Sequence, residues 1–336
     1  MPVAPLPTAL FAMDPAHLPA LFPPPVLARL QQLVRIDPGL VVRDFADQSA
    51  ASLAEVEILI TGWGCPHIGA DVLAAMPRLR RVLHAAGSVR NLLGPAVWER
   101  DIAVSSAVYA NALPVAEYAL AAILLAGKDA FVRRERFRVE TVYPPPTDYA
   151  DVGNLGRRLG IIGASRVGRR LLELLRPFDF DVSLYDPYVD EAEALALGAV
   201  SLPLDELLRG SDIVSLHAPD IPETYRMLDR RRLALIRDGG VLVNTSRGAL
   251  IDPDALTDEL VSRRLSAVLD VTEPEPLPAD SPLYGLPNVF LTPHIAGSLG
   301  NELSRLGSTV VEELERDRAG LPPQHAVRSA DLTRAA

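Results

Sequence analysis

The sequence predicts an α/β protein built from parallel sheets, because strand-like and helix-like segments alternate along most of the chain. From residue 159 onward, apolar runs of β-type residues recur, and segments with helical periodicity lie between them. Such alternation predicts parallel strands joined by right-handed crossovers. The N-terminal part repeats the pattern more loosely, which predicts a second, smaller α/β domain. Two domains also fit the length of 336 residues, which exceeds one ordinary core.

The predicted elements of the later part form one complete sheet. Its strands are predicted at 159–162, 182–185, 213–216, 241–244, 267–270 and 289–291. Its helices are predicted at 166–176, 204–209, 229–236 and 253–263. Six strands is the number in a complete doubly wound (Rossmann) domain, which binds a dinucleotide.

The rest of the chain is predicted from the same patterns. The N-terminal strands are placed at 40–43, 56–61, 81–84 and 102–105, and the helices at 25–34, 69–76 and 95–100. A long helix is predicted at 112–127 and a last one at 301–318. The stretch 128–156, with the charged run RRERFR and three consecutive prolines, is predicted to be irregular and is typical of an arm, lid or linker.

The most informative motif is LGIIGASRVG at 159–168, a strand that ends at Gly163 before a helix. A glycine turn at a helix N-terminus favours a pyrophosphate, because backbone N–H groups and the helix dipole face it. Asp186 ends the next strand about twenty residues further on, the spacing at which a carboxylate meets an adenosine ribose. Gly163 and Gly168 hold the outer positions of GxGxxG, but Ser165 replaces the middle glycine. An ordinary strand–turn–helix, with Asp186 capping its own turn, is the alternative.

Three ionisable residues, Arg247, Glu275 and His294, stand at or just beyond predicted strand ends. Ligands of open α/β sheets bind outside the carboxyl ends of strands, so these residues are expected to face one cleft. An arginine binds a carboxylate in a planar fork, a histidine carries a proton near neutral pH, and a carboxylate orients that histidine. Each has a plainer interpretation as a surface or loop residue. As a set beside a nucleotide turn, they favour carbonyl or alcohol redox chemistry.

Composition excludes several classes of protein. The net charge of −10 argues against nucleic-acid binding, which depends on neutralising phosphates. Cys65 is the only cysteine, so no intrachain disulfide forms and a reducing, cytoplasmic location is expected. No apolar run is predicted to reach membrane-spanning length. The N-terminus lacks the positive start of a signal peptide. Lys128 is the only lysine beside abundant arginine, alanine and proline, which suggests a GC-rich bacterial genome.

Several motifs in order resemble the D-isomer-specific 2-hydroxyacid dehydrogenase family. They are GIIGASRVGRR, LYDPY, SDIVSLHAPDIPET, VLVNTSRGALID, LDVTEPEPLP and LTPHIAGS. The similarity covers about 155–300 and extends more weakly to AAGSVRN at 85–91 and to 102–120. It implies a Rossmann NAD-binding domain at 111–296, with a dimerisation arm at about 128–150. It also implies a discontinuous, smaller flavodoxin-like substrate domain at 1–110 and 297–336.

The resemblance also implies roles for individual residues. Arg247 would bind the substrate carboxylate, His294 would be the general acid/base, and Glu275 would pair with it. The implied cofactor-binding residues are Gly163, Ser165, Arg166, Val167, Gly168, Asp186, His217, Ala218, Pro219, Thr245, Ser246 and Asp270. The implied substrate-binding residues are Trp63, Gly87, Ser88, Val89 and Arg247. No metal is expected.

Three departures or open points accompany the resemblance. Ser165 leaves the cofactor affinity in question. Arg90 stands where many members carry aspartate, and it is interpreted as a solvated residue at a helix start. Trp63 is either a wall of the substrate pocket or a packing residue. Asp270 is also expected to support the residues that contact substrate without contacting substrate itself.

The sequence thus predicts an NAD-dependent oxidoreductase that transfers a hydride between nicotinamide and C2 of a D-2-hydroxy acid or 2-keto acid. NAD is preferred to NADP because Asp186 repels a 2′-phosphate. A homodimer is expected. The main alternative is an NAD(H)-sensing regulatory protein of the same fold that does not turn over substrate. A zinc hydrolase using His217, His294 and Glu275 is a weak alternative, because these residues lack a short ligand spacing.

Overall fold

The computed structural model describes residues 5–149 and 152–333, which form two compact units. Unit 1 contains the described residues up to Asn111 and those from Ser298 onward, whereas unit 2 contains those from Ala112 to Gly297. Unit 1 is therefore discontinuous in sequence, and unit 2 is one continuous segment.

Within the described residues, the elements alternate as α/β proteins do. The strands are β1 Ala9–Ala12, β2 Val41–Val42, β3 Ile58–Thr61, β4 Arg81–His84, β5 Ala103–Ser106, β6 Arg157–Ile162, β7 Phe180–Tyr185, β8 Val200–Ser201, β9 Ile213–Leu216, β10 Val241–Asn244, β11 Ser266–Leu269 and β12 Val289–Leu291. The helices are α1 Leu18–Leu21, α2 Pro24–Gln31, α3 Ala50–Ala54, α4 Ala70–Ala75, α5 Ala96–Glu99, α6 Val108–Gly127, α7 Ala130–Glu140, α8 Arg166–Leu175, α9 Glu191–Ala196, α10 Leu204–Gly210, α11 Arg230–Leu233, α12 Pro253–Val261 and α13 Leu303–Arg318.

The sheet of unit 1 has the strand order β2-β1-β3-β4-β5, and all neighbours pair in parallel. This is the flavodoxin-like order. Buried side chains lie on both faces of the sheet, as expected when helices cover both sides of a parallel sheet. One face packs against α13, whose Leu306, Val310 and Leu314 join Phe11 and Ile60 in the core. The predicted flavodoxin-like fold is confirmed.

The sheet of unit 2 has the order β12-β11-β10-β9-β6-β7-β8, again with parallel neighbours throughout. Counted from β6, this is the doubly wound order 3-2-1-4-5-6 with one more strand at the edge. The predicted Rossmann fold is confirmed. The predicted number of six strands is wrong within the described chain, because the two-residue β8 adds a seventh through Ser183 and Leu184.

Strand β1 is an interior strand of the unit 1 sheet, between β2 and β3, yet the sequence patterns do not indicate it. Its sequence, ALFA, contains no β-branched residue. Prolines also stand on both sides of it, at Pro7 and Pro15. Complete burial of Phe11 and Ala12 stabilises the strand, so tertiary packing outweighs weak local propensity.

The prediction of an irregular segment after residue 128 is wrong for its first part, because α7 is a regular helix. The run RRERFR has no apolar stripe and therefore no amphipathic signal. Ion pairs along the helix, Arg136–Glu140 at four residues' spacing and Arg138–Glu135 at three, favour it instead. Residue 150, the end of the predicted arm, lies outside the described residues.

Helix α6 corrects the expectation about membrane-spanning length. Its 20 residues are long and apolar enough to cross a membrane by length and composition. Ala116, Ala119, Ala122 and Ile123 nevertheless lie buried in the core of unit 2. The core helix of a globular protein passes the same test.

Candidate functional site

The turn after β6 requires glycine at two positions. Gly163 has a φ of +98°, a conformation that L side chains rarely adopt, and a Cβ there would lie 2.6 Å from the amide nitrogen of Ala218. A Cβ on Gly168 would lie 2.0 Å from the carbonyl oxygen of Gly163. The two glycines therefore let the start of α8 lie directly against the turn.

Ser165, which replaces the middle glycine, has an ordinary extended backbone with φ −63° and ψ −179°. It occupies the N-cap of α8, and its Oγ accepts a hydrogen bond from the Gly168 amide at 3.4 Å. Serine is therefore compatible with this turn and caps the helix. Arg166 and Val167 follow as the first residues of α8, where the helix end favours an anion.

Asp186 comes directly after β7 and is bound to the same turn. Its Oδ2 accepts a hydrogen bond from the Ala164 amide at 2.7 Å, and its Oδ1 accepts one from the Tyr188 amide at 2.9 Å. The side chain is half-buried. Strand pairing between β6 and β7 thus places a fixed carboxylate beside the glycine turn, and its bond to the Tyr188 amide also caps its own turn, as the alternative interpretation expects.

His217 follows β9, and its side chain is buried below the turn. Its Nε2 lies 2.8 Å from the Oγ of Ser215, and burial lowers the pKa of the imidazole to about 3. The ring is therefore neutral across the physiological range. A Cβ on Gly163 would lie 2.8 Å from the carbonyl carbon of His217, so the backbone of His217 forms the wall of the turn.

The neighbouring strand end completes this wall. The Oγ of Ser246 donates to the carbonyl oxygen of Ala218 at 2.7 Å, joining the loops after β9 and β10. The carbonyl of Pro219 accepts a hydrogen bond from Thr224 at 2.5 Å. The buried Oγ1 of Thr245 has no partner among the described residues, so this hydroxyl can bond a group that enters the site.

Arg247 is held by a turn that Asn244 organises. The Asn244 amide donates to the carbonyl oxygen of Arg247 at 2.9 Å, and its Oδ1 accepts from the Ser246 amide at 3.0 Å. The half-buried Arg247 guanidinium donates to the Ser246 carbonyl at 2.6 Å. Sequence reasoning missed Asn244, whose only signal is an amide at the end of the apolar run VLV.

Glu275 and His294 form a pair, with Oε1 and Nδ1 2.6 Å apart. Because an ionised carboxylate only accepts hydrogen bonds, Nδ1 is the donor, and Nε2 is left to exchange a proton with a ligand. His294 has a φ of +54°, which is uncommon for a residue other than glycine. The two side chains are 50% and 41% exposed for His294 and Glu275, so a ligand can reach them.

The backbone around His294 is fixed by Asp270, which is only 2% exposed. Its Oδ1 accepts hydrogen bonds from the Thr292 hydroxyl at 2.7 Å and the Ile295 amide at 2.8 Å. Its Oδ2 accepts one from the Ala296 amide at 2.9 Å, and its carbonyl oxygen accepts one from the His294 amide at 3.0 Å. Asp270 thus holds the loop that carries the histidine.

Tyr118, on α6, extends this network. Its hydroxyl lies 2.7 Å from the Oγ1 of Thr292. Because Thr292 donates its single hydrogen to Asp270, the tyrosine must be the donor to Thr292. Burial raises the pKa of the Tyr118 phenol, which keeps the donating proton in place. Sequence reasoning missed Tyr118 because its helix has only the pattern of a core helix.

Glu275 and His294 also line an open cavity of about 540 Å³ within unit 2. Asp270 and Thr292 contribute to its wall, and so do the apolar side chains of Leu277, Tyr284 and Phe290. Among the residues that the structure describes, no cluster of three or more histidine, cysteine, aspartate or glutamate side chains could hold a metal ion.

The predicted substrate residues other than Arg247 follow strands of unit 1. Trp63 follows β3 and meets the ring of His17 edge-on, with centroids 5.5 Å apart. In the loop after β4, Ser88 is exposed, and its Oγ accepts a hydrogen bond from the Arg90 amide at 3.3 Å. Val89 is buried and Gly87 is half-buried.

The interpretation of Arg90 as a solvated residue is wrong. Its side chain is half-buried, and its guanidinium donates to the carbonyl oxygen of Leu332 near the end of the described chain. The sequence could not indicate this contact, because more than two hundred residues separate the two partners.

Known proteins resemble this chain across both units. The sequence model described as D-isomer specific 2-hydroxyacid dehydrogenase, NAD binding domain, matches residues 121–296. D-3-phosphoglycerate dehydrogenase of Mycobacterium bovis is 33% identical over 280 residues, which are 82% of this chain and 51% of that protein. Glyoxylate reductase of Korarchaeum cryptofilum is 35% identical over 263 residues, 76% of this chain and 78% of that protein. The solved D-lactate dehydrogenase of Aquifex aeolicus, complexed with NAD and lactic acid, has a TM-score of 0.71 at 26% identity and covers 93% of this chain and 96% of its own.

The chain belongs to the D-isomer-specific 2-hydroxyacid dehydrogenase family. Residues 121–296 are its NAD-binding domain, and NAD is its cofactor. The chain spans about half the length of the D-3-phosphoglycerate dehydrogenases that it matches.

The residues present fit NAD. Gly163 lets the turn lie directly against the backbone of His217 and Ala218, and the N-terminus of α8 favours a pyrophosphate. The orphaned hydroxyl of Thr245 and the fixed carboxylate of Asp186 supply further polar groups at the same strand ends.

Proposed function

We propose that this protein is an NAD-dependent oxidoreductase that transfers a hydride between nicotinamide and C2 of a D-2-hydroxy acid or 2-keto acid. The observation that carries the proposal is the Glu275–His294 pair, 2.6 Å apart, on a loop fixed by Asp270. A histidine oriented by a carboxylate, at the strand ends of an NAD-binding sheet, can exchange a proton with a substrate oxygen as carbonyl reduction requires.

Each residue has a role in the proposed reaction. NADH, when bound, supplies the hydride. Arg247 binds the substrate carboxylate and draws charge toward the keto oxygen. His294, protonated on Nε2, donates a proton to that oxygen as the alcohol forms, and Glu275 keeps the ring oriented through Nδ1. In the oxidation direction His294 takes the proton back.

The remaining site residues bind cofactor or substrate in this proposal. Trp63 forms a wall for the substrate side chain, and the backbone of Gly87, Ser88 and Val89 binds the carboxylate. The cofactor contacts are proposed at Gly163, Ser165, Arg166, Val167, Gly168, Asp186, His217, Ala218, Pro219, Thr245 and Ser246. For His217 the burial of the side chain supports a backbone contact. Asp270 acts through the His294 loop.

The test is to screen the purified protein against small 2-keto acids while the absorbance of NADH is followed. The names of the relatives suggest glyoxylate, pyruvate and phosphohydroxypyruvate as first candidates.

Turnover of at least one keto acid is expected. NADH binding without turnover of any keto acid in a broad panel would contradict the proposal and favour a regulatory NAD(H)-binding protein. The presence of Arg247, Glu275 and His294 together argues against that alternative, and turnover is the result that separates the two.

Cofactor choice is the first expected outcome. The protein should bind NADH at least about tenfold more tightly than NADPH, or about 1.4 kcal/mol, because Asp186 repels a 2′-phosphate. Asp186→Ala should narrow that ratio, measured by fluorescence titration with both cofactors. The ratio of the two affinities is the readout, because loss of the hydrogen bond to Ala164 should weaken the binding of NADH and NADPH alike. Asp190→Ala, which removes a nearby carboxylate that caps α9, is the matched control and should leave the ratio unchanged. Equal affinities in the unmodified protein would refute the role of Asp186.

We further propose a cytoplasmic homodimer that forms through α6 and the arm at 128–150. Support comes from the exposed apolar side chains of the arm, with Val139 77% and Tyr143 89% exposed. Large apolar groups left this exposed typically mark an interaction surface. Light scattering should give twice the chain mass of 36.3 kDa, and a single-chain mass would exclude the dimer.

A further inference from the structure

The C-terminal strap, residues 324–333, is bound to the edge of the unit 1 sheet. The Val327 amide donates to the Val104 carbonyl at 2.8 Å, and the Ser106 amide donates to the His325 carbonyl at 3.2 Å. Ser105 and Ala326 thereby form an antiparallel bridge beside β5. The strap thus covers the edge strand of an otherwise parallel sheet.

A buried carboxylate anchors the beginning of the strap. Glu313, on α13, is 1% exposed. Its Oε1 accepts hydrogen bonds from the amides of Gln324 and His325, both at 2.9 Å. Its Oε2 accepts one from the Ser105 hydroxyl at 3.1 Å. A buried carboxylate with three donors fixes the direction in which the strap leaves α13.

The far end of the strap reaches the loop at 85–91. Arg90 donates from its guanidinium to the carbonyl oxygen of Leu332, and from its backbone amide to the Oγ of Ser88. The side chains of Val327 and Leu332 pack against the core cluster that contains Val89. One arginine therefore links the strap to the segment whose backbone is proposed to bind substrate.

We propose that the C-terminal strap positions the 85–91 loop for substrate binding, with Arg90 as the positioning residue. The inference rests on the proposed function, because it concerns the loop assigned there to the substrate carboxylate. Val89 is buried in the core, and its carbonyl oxygen accepts hydrogen bonds from the amides of Leu92 and Leu93 at 3.0 and 3.2 Å. Gly87 and Ser88 have no such burial, so the Arg90 link restrains the exposed part of the loop.

The physical effect of the strap is on binding and not on the chemical step. A loop held in the bound conformation loses less conformational entropy when substrate arrives. Releasing the strap therefore weakens substrate binding while the groups that carry hydride and proton stay in place. KM should rise, and kcat and the Kd for NADH should not change.

Three variants test this: Arg90→Ala, a chain ending at Val327, and the two changes combined. Each should raise KM for the keto acid by about five- to tenfold, the scale expected when one typical hydrogen bond is lost. The combined variant should be no worse than the shortened chain alone, because the shortened chain already lacks the Arg90–Leu332 link. Arg90→Lys should restore part of the affinity, since an ammonium can also donate to the Leu332 carbonyl. Arg176→Ala, which removes another arginine–carbonyl bond at 3.0 Å on unit 2, is the control and should have no effect.

Hydrogen exchange provides a readout that does not depend on turnover. Amides in a peptide covering 85–93 should exchange about tenfold faster in Arg90→Ala and in the shortened chain than in the unmodified protein. If the unmodified protein turns over no keto acid, the proposed function fails, and the exchange result still decides whether the strap restrains the loop. Unchanged exchange, or effects on KM that add in the combined variant, would overturn the inference.

Discussion

Replacing His294 with alanine is expected to lower kcat for keto-acid reduction by about a hundredfold or more, the scale of general acid–base catalysis. The imidazole has a fixed orientation, because its Nδ1 lies 2.6 Å from Glu275 and the backbone amide of His294 donates to the Asp270 carbonyl. Alanine leaves the turn at Gly163 and the Asp186 carboxylate untouched. The Kd for NADH should therefore stay at its original value.

Steady-state kinetics with saturating NADH measures this effect, and a fluorescence titration with NADH is the control. His294→Gln keeps an amide near Glu275 but carries no exchangeable acid of the required strength, so it should lose as much activity as alanine. A kcat within about threefold of the unmodified protein in both variants would remove His294 from the proton transfer. A loss confined to NADH binding would instead assign His294 to the cofactor.

The second large effect is expected from Gly168→Ala. The added Cβ would lie 2.0 Å from the Gly163 carbonyl oxygen, and both partners are backbone, so neither can rotate away. The start of α8 must then move away from the turn. NADH affinity should fall at least about tenfold, and the free energy of unfolding should fall by about 1–3 kcal/mol, the cost of overpacking a tight contact.

Gly210→Ala is the matched control for this substitution. Gly210 ends α10, and nothing lies within 4 Å of a Cβ added there. Alanine should therefore leave NADH binding unchanged and stability equal or slightly higher. Titration with NADH and urea unfolding of both variants give the comparison. Normal NADH affinity in Gly168→Ala would show that the turn tolerates displacement of the helix.

The sequence predicts the sheet of unit 2 well because its signals are local and strong. Strands β9, β10 and β12 begin and end at the predicted residues, since each is an apolar run bounded by polar or turn residues. The glycine turn and the carboxylate of Asp186 also follow from local spacing. Pairing of neighbouring parallel strands then brings them together without further information from the sequence.

Features that depend on distant partners were not predictable in this way. The hydroxyl of Tyr118 meets Thr292, and Arg90 meets Leu332, across separations of 174 and 242 residues. Nothing in the local sequence distinguishes such side chains from core or surface residues. β1 is a similar case, because its burial and not its composition makes it a strand.

The order of segments along the chain also governs how the protein can fold during synthesis. Unit 2 is complete once Gly297 has been made, whereas the core of unit 1 still lacks α13. At synthesis rates of about 5–20 residues per second, about ten to forty seconds pass between the end of β5 and the start of α13. During that interval α1 and α2 can pack on the sheet face that carries Phe11 and Ile60, but the part that Leu306, Val310 and Leu314 of α13 cover stays open. Nascent chains of this protein should therefore present an apolar sheet face to chaperones until the ribosome has delivered the last helix.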